Sequence, residues 1–579
     1  MQLLISSRNK RGIMSQTKNG SDARRVLLVG DTTLDPLARF LERDQAKPVL
    51  HASAAPYGQI YQILLDSNHH AWSANPDILV VWTAPQLTLP SVAKLLRFDF
   101  ESAEATYDAI LSEAEQFAAA VLKAATRVGL VLVPTWILPT YERWIQTLAW
   151  RKGIGLANVL AKANLLLAER FAEQKNIVLL DSAYWRDSLN RPAFDPRMYA
   201  VAKILYSNHM YEKAATEIKS VVRGTLGLSK KVIVCDLDNT LWGGVVGDDG
   251  PENLKLGAPD PVGECYVTLQ AALKGLRSRG ILLAISSKND EALALSVIDE
   301  HPAMLLRKND FVAWRINWKD KAKNIAELAE ELNLGLDSFV FLDDSPQERD
   351  QVRQLLPQVL TPDLPASPSE YAPFLCSLGC FETAGLGQED FERTQMYQAE
   401  RGRKETQSLS GDLDEWLQSL EIKVQAAPLR RESLPRAAQL LNKTNQFNLS
   451  LRRLDEKTLW DWAQEPSNST YTFHVSDRFG DFGLVGLASL SLAGPDARIV
   501  DFVMSCRVMG KKVEEALLGY TVARAQAAGV NSITAPPVDG PRNEPAKVFF
   551  AAKFSGDDGA SIDSARVAVP SQISLREEN

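Results

Sequence analysis

The sequence predicts a multidomain α/β protein: two units built on parallel sheets, then an α+β domain. Three observations lead there. In the first two regions short apolar runs alternate with helical stretches, and strand, helix, strand repetition argues for a parallel sheet covered by helices. In the third region a set of strands comes first and a long helix follows. The length, 579 residues at roughly 100–200 per domain, allows three or four domains, each able to bury its own core.

Composition removes several function classes. Hydrophobic residues make up 45% and charged residues 23%, so wholesale disorder and fibrous repeats are excluded. A net charge of -8 with no dense basic block argues against nonspecific nucleic-acid binding. Five cysteines do not make a disulfide framework, and a reducing cytoplasm is the expected location. Six histidines without closely spaced Cys/His sets leave no zinc site. No run approaches ~20 apolar residues, so no membrane span is expected.

Met1 to Arg25 mixes Lys and Arg with Ser, Asn and Gly. Its apolar piece, Leu3-Leu4-Ile5, is shorter than the ~7–15 residues of a signal-peptide core, and 1–24 reads as a disordered leader. The first domain, 25–227, opens with Val26-Leu27-Leu28-Val29, a buried strand closed by Gly30-Asp31. Further strands are Ile78 to Trp82, Leu130 to Val133 and Ile177 to Leu180, with helices over Glu101 to Thr126 and Leu156 to Gln174.

The second domain, 228–388, has strands at Val232 to Cys235, Ile281 to Ile285 and Ser338 to Leu342. Before the third strand, Ile325, Leu328, Ala329 and Leu332 share one helix face, and Gly335 suits the exit. A charged helical connector, 389–411, leads to the third domain, 412–569. Its strands are Ile422–Val424, Thr470–Val475, Gly483–Leu492 and Ile499–Ser505, followed by a helix from Lys511 to Ala528. Residues 570–579 read as a polar tail.

The second domain carries the clearest chemistry. Ligands of open α/β sheets bind at the carboxyl ends of strands. Here one strand ends in Asp236-Leu-Asp238-Asn-Thr240, the next in Ser286-Ser287-Lys288-Asn289, and the third in Asp343-Asp344-Ser345-Pro346, with Lys321 between the last two. Asp236, Asp238, Asp343 and Asp344 would repel one another at one sheet edge unless a hard divalent cation compensates. Mg²⁺, which takes oxygen ligands, is the natural choice. A single Asp at a strand end is equally well a turn cap; it is the joint pattern that points to a site.

This order resembles the haloacid dehalogenase (HAD) superfamily of phosphoryl-transfer enzymes. The resemblance implies Asp236 as nucleophile, Asp238 as general acid/base, Thr240, Ser287 and Lys321 around the phosphate, and Asp343 with Asp344 around Mg²⁺. About 45 residues separate Thr240 from Ser287, which leaves no room for a large lid beside the βα elements, so a capless Rossmann-like domain open to bulky substrates is expected.

Longer stretches are more specific. Asp236-Leu-Asp-Asn-Thr-Leu-Trp-Gly-Gly-Val-Val-Gly-Asp-Asp-Gly250, Ser287-Lys-Asn-Asp290 and Phe341-Leu-Asp-Asp-Ser-Pro-Gln-Glu-Arg349 resemble the FkbH-like family. So do Asn442-Lys-Thr-Asn-Gln-Phe-Asn-Leu449, Asp477-Arg-Phe-Gly480 and Met504-Ser-Cys-Arg-Val-Met-Gly510. The resemblance implies use of 1,3-bisphosphoglycerate, removal of phosphate and delivery of a glyceryl thioester to an acyl carrier protein for polyketide-type pathways. It also implies an N-acetyltransferase-like third domain, where Arg507 and Gly510 would receive a pantetheine arm at a helix N-terminus; Lys512 departs from the usual small residue there. Cys506 reads either as a packed apolar residue or as an acyl-accepting thiol beside Arg507. His474 reads as a half-buried strand residue before it reads as a base.

The first domain resembles the SGNH-hydrolase-like module that precedes the HAD unit in this family. Its first block is Gly30-Asp31-Thr32-Thr33, with Thr in place of the Ser, and late in the domain stand Asp195-Pro-Arg-Met198 and an isolated His209. A noncatalytic docking role is expected. The function expected for the whole chain is that of a glyceryl transferase/phosphatase. A plain phosphatase or a docking scaffold are the alternatives.

Overall fold

The computed structural model describes residues 23–578 except 143, 384, 386–390, 392–393, 400–402, 404–411, 445, 455, 531, 541–542, 556–560 and 563–566. The leader expected at 1–24 lies outside them, save its last two residues, which begin a strand. Five strands form the first sheet: β1 (Ala23–Val29), β2 (Val49–Ala54), β3 (Ile78–Val81), β4 (Leu130–Pro134) and β5 (Ile177–Leu180). They lie in the order β2-β1-β3-β4-β5, every pair parallel. The central strands are apolar on both faces because helices cover both. Leu27, Leu79 and Val131 face helices Ala103–Ala125 and Leu156–Phe171. Leu28, Val80 and Leu132 face helices Asp35–Arg43 and Asn208–Thr225. β2, at the edge, was not expected: His51 and Ser53 interrupt its apolar run.

The chain divides into two units, and the division cuts across the expected boundary at 388. The first unit runs up to Lys230 and takes in Pro373–Gly385; the second holds Lys231–Ala372 and the chain from Leu386 onward. In the first unit the returning segment packs on helix Asn208–Thr225, and Lys230 N–H donates to the Cys380 carbonyl at 2.8 Å.

The second unit begins with four parallel strands: β6 (Val232–Cys235), β7 (Leu282–Ser287), β8 (Phe311–Ile316) and β9 (Phe339–Leu342). Their order is β8-β7-β6-β9, so the chain reverses direction across the sheet between β6 and β9. Cys235 pairs with Leu342, which sets the next residues, Asp236 and Asp343, side by side. β8 was missed because Trp314 and Arg315 break its apolar pattern at an edge. Lys321 is the first residue of helix Lys321–Leu332. Asn333, at φ 50°, makes the left-handed exit in place of Gly335, and its amide short side chain tolerates that turn. No further domain is inserted between these strands among the described residues.

The rest of the second unit is a six-stranded sheet: β10 (Ile422–Pro428), β11 (Asn468–Asp477), β12 (Gly480–Ala493), β13 (Asp496–Met504), β14 (Ser532–Thr534) and β15 (Ile573–Glu577). Their order is β14-β13-β12-β11-β10-β15. Helix Val513–Ala527 covers one face, with Leu517 beneath β12 so tightly that a Cβ on Gly486 would lie 2.4 Å from its Cδ2. Helices Leu434–Lys443 and Glu456–Ala463 cover the other. The expected polar tail contains β15: Ile573 is buried while Ser574 and Arg576 face outward, a short edge-strand alternation.

In the connector, the described residues 391, 394–399 and 403 are helical. Gln398 Nε2 donates to the Asn309 carbonyl at 2.8 Å. Arg403 and Asp477, both buried, make a bidentate pair at 2.6 and 2.8 Å, with the Phe482 ring 4.1 Å from the guanidinium carbon. Removing one partner of a buried pair strands the other's charge, at about 3–5 kcal/mol. Arg403→Ala is therefore expected to lose stability on that scale, read by urea unfolding; a loss under about 0.5 kcal/mol, the surface-substitution range, contradicts it.

Candidate functional site

The reversal point between β6 and β9 collects the charged residues. Lys321 Nζ lies 2.8 Å from Asp236 Oδ2 and 2.6 Å from Asp343 Oδ2. All three side chains are nearly inaccessible, at 4%, 8% and 0% exposure. Burial works to lower the Lys321 pKa, but the two carboxylates outweigh it and the pKa is raised. Burial, then the charge of Asp236, pushes the Asp343 carboxyl up to about 7. Asp344 is raised for the same two reasons. One oxygen from each of Asp236, Asp343 and Asp344 lies within 4.8 Å of the others. Asp236 Oδ1 is buried without a hydrogen-bond partner. A bare buried carboxylate oxygen beside two further carboxylates fits a hard cation, whose charge would offset all three.

Asp238 departs from the expected metal set. Its carboxylate is held elsewhere: Oδ1 accepts from Trp242 Nε1 at 2.8 Å and from Val246 N–H at 3.1 Å, and Oδ2 accepts from Asn289 Nδ2 at 2.8 Å. Burial raises its pKa although these donors pull it down. Thr240 is also placed differently from its expected phosphate role. It is fully buried, and its hydroxyl accepts from Asp344 N–H at 3.2 Å, so it braces the Asp343-Asp344 turn. Ser287 ends β7 at the same sheet edge. Arg349 was not anticipated: its Nη1 donates to the carbonyls of Asp343 and Asp344 at 2.7 and 2.8 Å and locks that turn from below. Its place six residues after Asp343, on a helix, is a signal that spacing alone does not separate from an ordinary surface charge.

In the third domain β14 pairs with just the first three residues of β13, Asp496 to Arg498. Where the strands part, the chain's own segment enters: Leu449 N–H donates to the Phe502 carbonyl and Met504 N–H to the Phe447 carbonyl, each at 3.0 Å. Asn448, fully buried, fastens this segment through its side chain to the backbone of Thr444, Ser450 and Leu451. Cys506 begins a short turn, Cys506–Val508, directly after β13; its side chain lies outside the described residues. Arg507 bonds Ser505 Oγ at 3.3 Å and Met396 Sδ at 3.3 Å. Gly510 takes φ 74°, which suits the residue type. The helix that follows opens with Glu514, whose carboxyl is raised by burial and held by its own and the Gly510 backbone amides. His474 is 41% exposed and pairs with Asp481 at 3.3 Å.

In the first unit the chain reverses direction between β1 and β3, and Asp31 fills the crevice there. Its carboxylate accepts from Ala84 N–H at 3.0 Å and Thr88 Oγ1 at 2.5 Å. Thr32 is buried, and the Thr33 hydroxyl donates to the Ala202 carbonyl. Asp195 caps helix Pro196–Ala202, and His209 Nε2 contacts Arg191 Nη1 at 3.1 Å. The Thr88 hydroxyl is thus joined to the Asp31 carboxylate, while the Thr33 hydroxyl is spent on a backbone carbonyl.

No family model and no curated protein matches the chain. Among solved structures it is similar to the N-terminal part of the protein BF1531 from Bacteroides fragilis, which contains a phosphatase domain and is complexed with Mg: 28% identity and TM-score 0.58, over 63% of this chain and 95% of that one. It is also similar to the ribosomal-protein-S18-alanine N-acetyltransferase from Escherichia coli, with 13% identity and TM-score 0.18 over 24% of this chain and 88% of that one. A third is the N-acetylglutamate synthase from Neisseria gonorrhoeae, with 13% identity and TM-score 0.19 over 61% and 94%. The first likeness supports a phosphatase-type domain in this chain, and hence an enzyme. Among the described residues no helix is long and apolar enough to cross a membrane.

Burial pushes Asp31 up to about 7 against its hydrogen bonds from Thr88 and Ala84. A raised folded-state pKa contributes stability below the unfolded value near 4, and that contribution is lost as pH rises through 7. Wild type is therefore expected to lose about 1–3 kcal/mol between pH 5 and 8 that Asp31→Asn keeps, since one pKa unit is about 1.4 kcal/mol. Parallel melting curves of the two proteins across that range check it; identical pH dependence contradicts it.

Proposed function

We propose that the chain takes the glyceryl unit of 1,3-bisphosphoglycerate, removes phosphate at Asp236 and passes the acyl unit to a carrier-protein thiol. The observation that carries this reading is the buried group of Asp236, Asp343, Asp344 and Lys321 at the reversal point of a parallel sheet. Asp236, Asp343 and Asp344 would hold Mg²⁺, which when bound would offset charge on the phosphate oxygens.

The chain's own residues divide the work. A thiolate attacks the acyl-phosphate carbonyl, the C–O bond to phosphate breaks, and phosphate leaves with the electron pair. The remaining phosphate ester is less reactive and needs the aspartate site. Asp236 attacks phosphorus, the P–O bond to the three-carbon unit breaks, and its oxygen takes the proton of Asp238. Asp238, now ionised, takes a proton from water as that water attacks phosphorus and releases Asp236. Lys321 steadies the charge on the transferring group, and Ser287 sits at the phosphate end. With no inserted domain over the sheet edge, a protein-borne thiol has a route of approach.

Cys506 as acyl carrier within this chain, with Arg507 and Gly510 receiving the pantetheine arm, is the finer part of the proposal. A second reading, a plain phosphatase, is favoured by two contacts: Phe447–Leu449 on the free edge of β13, and Glu514 at the Gly510 turn. Both stand where an arm would lie. The first domain serves as a docking module, in keeping with the Thr33 hydroxyl being spent on the Ala202 carbonyl. A cytoplasmic location accompanies this reading.

Intact mass spectrometry of the full chain with a phosphopantetheinylated carrier, 1,3-bisphosphoglycerate and Mg²⁺ separates the two. A carrier heavier by one glyceryl unit is expected; free phosphate with an unchanged carrier makes the chain a phosphatase. Cys506→Ala is expected to lose any acyl adduct on this chain, and an adduct that persists at another residue refutes Cys506. For the phosphoryl site, Asp236→Asn keeps size and removes nucleophilic charge, so phosphate release is expected to fall by at least about a thousandfold with an unchanged circular dichroism spectrum. Chelation is expected to stop release in wild type and Mg²⁺ to restore it; normal turnover of folded Asp236→Asn sinks the assignment.

A further inference from the structure

We infer that Asn289 is a positioning residue that aims the proton-carrying oxygen of Asp238 at the leaving group; this rests on the phosphoryl-transfer reading of the site. Asp238 has two oxygens in unlike surroundings. Oδ1 is saturated by the Trp242 indole and the Val246 amide. Those donors leave Oδ2 as the oxygen free to carry a proton. Oδ2 has one side-chain donor, Asn289 Nδ2, at 2.8 Å. The same nitrogen lies 3.4 Å from Ser287 Oγ, at the phosphate end of the site.

Asn289 is therefore a bridge from the phosphate-binding serine to the acid. It is 4% exposed, follows β7 by two residues, and precedes helix Glu291–Glu300, whose cap Asp290 accepts from Leu293 N–H at 2.9 Å. Strand end and capped helix fix the Asn289 backbone, so its side-chain amide is a rigid pointer. Without it, Oδ2 loses the side-chain contact that fixes its direction. The consequence falls on one chemical step. In phosphoryl transfer to Asp236, the P–O bond of the leaving group breaks and that oxygen takes the proton from Asp238 Oδ2. An alkoxide is too basic to leave without that proton, whereas p-nitrophenolate leaves as the anion.

The test is kcat/KM, which covers the steps up to formation of the aspartyl-phosphate, for the full chain with Mg²⁺ on two probes: glycerol 3-phosphate and p-nitrophenyl phosphate. General acid assistance is worth about 10²–10⁴-fold. Asn289→Ala is expected to lower kcat/KM for the alkyl ester by at least about thirtyfold and for the aryl ester by less than about threefold. Asn289→Leu, which keeps the buried volume without a donor, is expected to show the same split if the alanine variant folds poorly. Equal losses on both probes in folded variants overturn the inference and leave Asn289 a packing residue. Undiminished phosphate release by folded Asp236→Asn is a different failure, and it overturns the phosphoryl-transfer reading itself.

Discussion

The second unit is organised around a like-charge conflict at the end of one parallel strand pair. Because Cys235 is registered with Leu342, Asp236 and Asp343 leave the sheet as neighbours, and burial makes their repulsion costly. Lys321 answers it from a third element, contacting both carboxylates at once. That contact requires the helix Lys321–Leu332 to start where it does, which in turn requires the turn before it: Asn317 N–H donates to the Ser287 carbonyl, and Asn317 Oδ1 accepts from Asn324 Nδ2. One ammonium faces three carboxyl groups, a set that a hard cation would fit.

The third domain meets the opposite problem, an opening where two strands diverge. β13 continues past the last residue of β14 with its amides and carbonyls exposed, and an unpaired edge of that kind invites another strand. The segment Phe447–Leu449 supplies it, held by Asn448, while Asn543 Nδ2 bridges the Asn448 and Val538 carbonyls behind it. The stretch Asn442 to Leu449 thus has a structural reason for Asn448. Asp501, buried on the adjoining face, is matched in the same way by Ser450 at 2.6 Å and by Arg452 at 2.9 Å. The domain fills this gap with a backbone segment of its own, held by local polar side chains.

The strands buried on both faces were legible in the sequence because their runs are uniformly apolar, as at Val232 to Cys235. Three edge strands were not: β2, β8 and β15 each carry polar residues where one side of the ladder is open, whereas β5 and β9, also at edges, keep apolar runs and were legible. Residue types at the strand ends identified the carboxylate–lysine cluster, since few folds gather such charge by chance. The contacts of Asp238 and Thr240 within it were not legible. Both depend on where side chains turn after the strand, which is decided by contacts from Trp242, Asn289 and Asp344 that lie far apart in sequence or on a tight local loop. The exchange of Pro373–Gly385 into the first unit was invisible for the same reason. It reflects packing against helix Asn208–Thr225, a contact more than a hundred residues distant that leaves no periodic trace.

Two aspartates separated by one residue meet different partners, and the loop that follows the second supplies those of Asp238. Asn239 takes φ 54°, a left-handed conformation that asparagine tolerates better than most, and its Oδ1 accepts from Gly244 N–H at 3.0 Å to hold the loop. Beyond that turn the chain comes back so that the Trp242 indole and the Val246 amide reach Asp238. Asp236 stays with Lys321, while Asp238 is carried to the Trp242 indole and the Val246 amide. There burial raises its pKa although its hydrogen bonds pull it down. Asp236 has Lys321 Nζ 2.8 Å away. The two groups differ in their partners, a lysine ammonium for Asp236 and neutral donors for Asp238.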